Sequence, residues 1–229
     1  MARPEGVHHL AIATADIKAQ IAFFSDVLGM ELVALYWMHG VEGAWHGFLR
    51  LNDHCSIAFV QTPDIAAIPR QIGATHAGNP GAPCAGGAMQ HLALDCRDEA
   101  ELIALRDRIR SRGVNVFGPI DHGFCQSIYF AGPENLSLEI STSRAAIDPR
   151  AWIDPEVVRL AGISEAELAR YVAPAPYAGD GGRVPQPPYD PQKPHMVYPE
   201  PRYRQMLATP DGDYTRLRSQ TTPPVKVAV

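Results

Sequence analysis

The sequence contains two copies of one pattern, and this repeat constrains the fold more than any other feature. Val7–Ile12 reads VHHLAI and Met89–Leu94 reads MQHLAL, so His9 and His91 occupy equivalent positions. Each copy is followed by a stretch with apolar residues on one helical face, from Asp16 to Leu28 in the first copy. A period of this length indicates that the compact part of the chain is built from two similar units.

Each helix is followed by three short runs with the alternation typical of strands. The second predicted helix covers about 98–112. The two modules comprise about residues 6–61 and 88–143. The predicted strands are Glu31–Met38, Trp45–Leu51 and Ser56–Gln61, then Val114–Pro119, Gln126–Phe130 and Leu136–Ser141. The sequence therefore predicts an α+β fold of two βαβββ modules, which form one domain over residues 1–143. A Pro/Gly-rich linker over 62–87 joins the modules, and a cleft is expected between their sheets.

Residues 144–229 have a different composition from the domain before them. Fourteen of the 21 prolines lie from Pro149 onward, together with six of the eight tyrosines. One helical passage is predicted over 155–170, in which Pro155–Leu160 ends near Gly162 and Ser164 and Glu167 then form a capping box. Disorder is the alternative for such a segment. Its interleaved aromatic side chains instead favour an ordered extension that wraps the core or docks on a second subunit.

Composition excludes several classes of protein. The net charge of −5 argues against a nucleic-acid-binding protein, which usually carries a basic face. No apolar run approaches the roughly 18 residues of a membrane span, and the first ten residues lack the pattern of a signal peptide. The four cysteines show no paired spacing, which is typical of reduced thiols and predicts a cytoplasmic location.

Strand alternation separates the residues that carry chemistry from those that face the helices. His9, His91 and Glu139 all fall on the face opposite the helix, next to alanines and serines that leave room for an ion and a substrate. A single histidine on a strand is usually an ordinary core or surface residue. The symmetric pair of histidines with a carboxylate instead predicts the facial triad that holds Fe(II).

Residues 6 to about 143 resemble the vicinal oxygen chelate superfamily, which includes glyoxalase I, extradiol ring-cleavage dioxygenases, and related isomerases and resistance proteins. The resemblance implies metal ligands at the first and last strand of each module, here His9, Ala58, His91 and Glu139. The Ala58 side chain cannot bind a metal. Since glyoxalase I-like members use four protein ligands and extradiol enzymes use two histidines and a glutamate, the resemblance favours the dioxygenase branch with Fe(II), and Mn, Zn or Co are the other metals.

The stretch from Gly118 to Glu139 resembles the end of an extradiol catalytic module. In such a module a tyrosine shortly before the glutamate ligand hydrogen-bonds the substrate, which implies this role for Tyr129, and an upstream histidine lies near the substrate, which implies it for His122. The family also places an acid–base histidine just before the last strand of the first module. A gapless match puts Cys55 there, so His54 and His46 are both candidates.

The resemblance implies an enzyme that opens a catechol-like aromatic ring with O₂. A homodimer or a higher homo-oligomer is the expected assembly if the chain associates with itself. One alternative is an isomerase or lyase of glyoxalase type with another divalent metal. Another is a non-catalytic, resistance-type protein that binds a ligand in the cleft, since fold by itself does not decide function.

Overall fold

The first module has the predicted order of elements in the computed structural model, which describes residues 2–226. Its elements are β1 His9–Ala13, α1 Ile17–Ala22 continued by a π-helical turn Phe23–Val27, β2 Glu31–Trp37, β3 Trp45–Asn52 and β4 Cys55–Gln61. The α1 helix starts where the Asp16 carboxylate accepts a hydrogen bond from the Ala19 N–H at 3.0 Å. This contact satisfies one of the free backbone donors of the first turn.

The second module repeats this arrangement. Its elements are β5 Leu92–Asp95, α2 Glu99–Ser111, β6 Val116–Asp121, β7 Gln126–Ala131 and β8 Ser137–Thr142. The two four-stranded sheets have the orders β1-β4-β3-β2 and β5-β8-β7-β6, and the first and last strands of each module pair in parallel. The predicted α+β fold with two βαβββ modules is confirmed, with strand ends shifted by a few residues at most.

One hydrophobic core contains the helix-facing residues of both sheets. Phe24 and Phe59 of the first module share it with Leu102 and Leu138 of the second, and all four side chains are fully buried. The rings of Phe23 and Phe130 stack across the modules with their centroids 6.5 Å apart. Because the shared core lies on the helix side of each sheet, the faces that carry His9 and Glu139 lie outside it.

The described chain divides into two compact units. The larger unit comprises Glu5–Met38 and Gly43–Ala175, and the smaller comprises residues 2–4, His39–Glu42 and 176–226. Three helices that follow β8 belong to the larger unit: α3 Pro149–Trp152, α4 Pro155–Leu160 and α5 Glu165–Val172. The capping box of Ser164 and Glu167 is present at the start of α5, as predicted.

The smaller unit contains two helices that the sequence did not predict, α6 Glu200–Ala208 and α7 Asp211–Arg218. An aromatic cluster of Tyr189, His195 and Tyr203 orders this part of the chain, with ring centroids 5.5 to 5.9 Å apart. The Arg204 guanidinium lies 4.6 Å from the centroid of the Tyr189 ring. The extension therefore has local structure of its own, and its wrapping of the core stays a prediction. No helix among the described residues is long and apolar enough to cross a membrane.

Candidate functional site

His91 and Glu139 meet on the face of the second sheet that points away from the helices. The parallel pairing of β5 with β8 places Ala93 beside Glu139, so His91 precedes its strand on the same face. His91 Nε2 lies 3.1 Å from Glu139 Oε2. Glu139 is 6% exposed, so the pair of His91 and Glu139 is shielded from water on the carboxylate side.

Tyr129 and His122 form a second pair on the same sheet. Tyr129 lies on β7 directly opposite Glu139, and its hydroxyl lies 2.8 Å from His122 Nε2. Burial raises the pKa of Tyr129 above its ordinary value; a hydrogen bond with Ser127 opposes this shift, and the neighbouring Glu139 carboxylate adds to it. The phenol is therefore neutral at physiological pH and keeps a proton to donate. Four of the predicted site residues are thus close together on one module.

His9 lies with His46 on the corresponding face of the first sheet. Their ring centroids are 6.4 Å apart, and Phe48 lies against both rings. His46 is 8% exposed, and its buried Nε2 has no hydrogen-bond partner among the described residues. Burial lowers the pKa of His46, and the neighbouring His9 lowers it further. A buried polar atom without a partner costs free energy, so this nitrogen marks a place where a ligand or a second chain could bind.

His54 lies elsewhere, in the turn that joins β3 to β4. Its side chain is exposed, and its backbone N–H donates to Asn52 Oδ1 at 2.9 Å. Cys55 follows as the first residue of β4 and is half-buried. Of the two candidates for the acid–base group, His46 is the one that lies beside His9.

The three predicted ligands do not come together within one chain. Over residues 2–226, no three His, Cys, Asp or Glu side chains are placed to hold a metal ion. His91 and Glu139 fit two positions of the facial triad, because one imidazole nitrogen and one carboxylate oxygen converge. His9 lies on the other sheet, and the core shared on the helix sides separates it from this pair.

Three polar residues lie around His91 and Glu139, and none of them was predicted as a site residue. Gln90 lies beside His91, and Ser127 and Ser141 lie beside Glu139. Strand alternation places both serines on the face of Glu139, as predicted, but it does not show that they form a hydrogen-bonded chain, and it carries no signal for the contact of Gln90 with His91.

Comparison with solved structures finds partial likenesses at low sequence identity. A glyoxylase/bleomycin resistance protein/dioxygenase domain from Frankia sp. EAN1pec is 14% identical, with a TM-score of 0.48 over 62% of this chain and 100% of that chain. A lactoylglutathione lyase from Agrobacterium tumefaciens is 19% identical, with a TM-score of 0.43 over 62% and 96% of the two chains. An antibiotic-binding protein, TnmS3 from Streptomyces sp. CB03234, is 16% identical, with a TM-score of 0.45 over 62% and 99%.

Among curated proteins, none matches this sequence significantly. The family model described as the Glyoxalase/Bleomycin resistance protein/Dioxygenase superfamily matches residues 6–140, which span both modules. This match covers more than half of the chain and both four-stranded sheets. The chain therefore belongs to the glyoxalase/bleomycin resistance protein/dioxygenase superfamily.

Proposed function

We propose that this protein is a metal-dependent oxygenase of extradiol type, which uses Fe(II) and O₂ to open a catechol-like aromatic ring. The observation that carries the proposal is the placement of His122 and Tyr129 beside His91 and Glu139 on one sheet. A pair of metal ligands next to a neutral tyrosine and a histidine provides both a place for the metal and donors for the oxygens of a substrate.

In this proposal the metal is held by His91, Glu139 and His9, and His9 comes from a second copy of the chain. The support is that no third His, Cys, Asp or Glu among residues 2–226 joins His91 and Glu139 to hold a metal, while the face that carries His9 lies outside the shared core. A twofold dimer would bring each His9 to the partner's ligand pair and create two equivalent sites. When bound, Fe(II) would supply open positions for two catechol oxygens and O₂.

The protein groups around the metal would handle protons and charge. The Tyr129 hydroxyl would donate a hydrogen bond to a substrate oxygen as negative charge develops there, and His122 would hold that hydroxyl in place. His46 would come from the second copy together with His9 and accept a catechol proton at Nε2, which has no hydrogen-bond partner within residues 2–226. The exposed turn of His54 gives that residue no such position.

Metal analysis of protein purified without oxygen, combined with O₂ uptake on a panel of catechols, tests this function. Bound iron and catechol-dependent uptake are expected, and Tyr129→Phe should lower the rate by roughly 10²- to 10³-fold. Protein that contains zinc or manganese and consumes no O₂ would favour the hypothesis of an isomerase or lyase. A tightly bound ligand in metal-free protein would favour a binding protein.

Complementation tests the two-copy site. His9→Ala and Glu139→Ala should each lose metal and activity when expressed singly. Co-expression of the two variants should restore about a quarter of the wild-type metal content, because half of the randomly formed dimers would contain one intact site. A mixture that stays inactive while both variants remain dimeric would contradict the shared site.

A further inference from the structure

The orientation of the Gln90 amide is determined by three backbone carbonyls of the linker. Gln90 Nε2 lies 2.6 Å from the oxygen of Pro80, 3.3 Å from that of Ala82 and 3.4 Å from that of Asn79. Carbonyl oxygens only accept hydrogen bonds, so the amide group that faces them must be the NH₂ group. The amide oxygen of Gln90 is consequently turned toward Nδ1 of His91.

This orientation determines the tautomer of His91. An amide oxygen cannot donate, so the hydrogen bond between Gln90 and His91 requires the proton to be on Nδ1. In the neutral ring, Nε2 then carries a lone pair. That lone pair faces a carboxylate oxygen of Glu139 at 3.1 Å.

A serine chain orients the carboxylate from the other side. Ser141 Oγ donates to Oε1 of Glu139, so the Ser141 oxygen is left to accept from Ser127 Oγ at 2.8 Å. Ser127 is fully buried, and no water is needed to complete the chain. The direction of both hydrogen bonds follows from the carboxylate, which only accepts. Oε2 of Glu139 is therefore the oxygen available for His91 or a metal.

We propose that Gln90 and Ser141 are positioning residues of the metal site. Gln90 keeps His91 in the tautomer that presents Nε2, and Ser141 keeps Glu139 in the orientation that presents Oε2. The inference rests on the proposed function, since it concerns the same metal. It also gives the Pro/Gly-rich linker a role, because the carbonyls of residues 79, 80 and 82 hold Gln90 in place. Partners of this kind fix ring orientation and raise ligand basicity in metal sites.

Nitrogen NMR of the histidine rings in metal-free protein tests the role of Gln90 directly. The wild-type His91 ring should show a proton on Nδ1, and Gln90→Met should shift the population toward the Nε2-protonated form. The signal is assigned by its loss in His91→Gln. Gln71→Met, a substitution elsewhere in the linker, should leave the His91 tautomer unchanged. An unaltered tautomer in Gln90→Met would overturn the inference.

Calorimetric titration with Co(II) measures the consequence for metal binding. Gln90→Met and Ser141→Ala are each expected to weaken Co(II) binding by roughly 10- to 100-fold. Ser141→Thr keeps the hydroxyl and should restore most of the affinity. Ser137→Ala is the matched control, since Ser137 is buried on the same strand and face but lies outside the serine chain. Equal affinities in Ser141→Ala and Ser137→Ala would contradict the role of Ser141.

The two proposals fail in different ways. Wild-type protein that binds no Co(II) would contradict the metal-dependent function, while the tautomer of His91 in Gln90→Met would still decide the role of Gln90. If the wild type and both positioning variants bind Co(II) equally tightly, the metal site stands and the inference is overturned.

Discussion

Glu134 of the second module accepts a hydrogen bond from Gln20 of the first, with 2.9 Å between Oε2 and Nε2. The other carboxylate oxygen accepts from the Ala15 N–H at 2.9 Å, next to the start of α1. Gln20 is fully buried, so this single side chain joins the modules at a place where water cannot substitute. The apolar core holds the helices together, and the Glu134 carboxylate satisfies polar groups at its edge.

Glu134→Ala should therefore destabilise the protein more than an ordinary surface substitution. The buried amide of Gln20 would lose its acceptor, and a buried donor without a partner costs about 1–3 kcal/mol. Urea unfolding followed by circular dichroism measures the change. Glu5→Ala, at an exposed position, is the control and should stay within about 0.5 kcal/mol of the wild type. A loss no larger than that of the control would contradict the role of Glu134.

The two-module fold could be predicted because its signals are local. Alternation along β8 places Leu138 and Ile140 on the core side and Glu139 opposite, as the structure has them. The proximity of His91 to Glu139 follows from the parallel pairing of the first and last strands, which alternation within a single strand does not predict. The same alternation predicts that Tyr129 shares the face of Glu139.

The relation of His9 to the other ligands could not be obtained in this way. Strand alternation says which face a residue occupies, but not whether the two faces of one chain meet. Packing both sheets through their helix sides preserves every local pattern and separates His9 from His91. The role of Gln90 was equally hidden, since its orientation depends on linker carbonyls that have no sequence signature. The α6 helix was missed because prolines surround its start.

Leu138→Ala should strongly reduce the free energy of unfolding. Leu138 is fully buried in the core shared by both modules, so its truncation leaves a cavity between them. Such substitutions cost about 2–5 kcal/mol. Leu160→Ala on α4 is the matched control, because Leu160 is 69% exposed. Equal unfolding midpoints for the two variants in urea would show that the core is not packed around Leu138 in solution.

Cys96 should resist thiol reagents in the native protein. Burial raises the pKa of the Cys96 thiol to about 11, and the nearby Glu101 and Asp95 carboxylates add to the shift. Because the thiolate is the reactive form, labelling at pH 8 should be slow and should accelerate as the pH approaches 11. A folded pKa above the ordinary 9.0 also means that stability from this thiol is present below pH 9 and is lost as the pH rises toward 11.

The control is Cys96→Ala. When folded, this variant should label to the same extent as the wild type, and when unfolded in urea it should label at one thiol fewer. Rapid native labelling of Cys96 at pH 8 would contradict this prediction.

Gly123→Ala should destabilise the turn that carries His122, because α3 packs directly on this glycine. Gly123 has φ +84°, and a Cβ there would lie 2.8 Å from Cη2 of Trp152. The Trp152 ring also contacts Phe124 edge to face, with centroids 4.9 Å apart.

Gly162→Ala is the matched control, since the φ of Gly162 is +70° but a Cβ there would meet nothing within 4 Å. Both alanines carry the strain of a left-handed backbone, so the difference between them isolates the clash, which should amount to about 1–3 kcal/mol in urea unfolding. Adding Trp152→Ala to Gly123→Ala should remove the clash and with it this difference in the free energy of unfolding. A double variant that recovers no stability relative to Gly123→Ala would show that Trp152 does not pack on the turn.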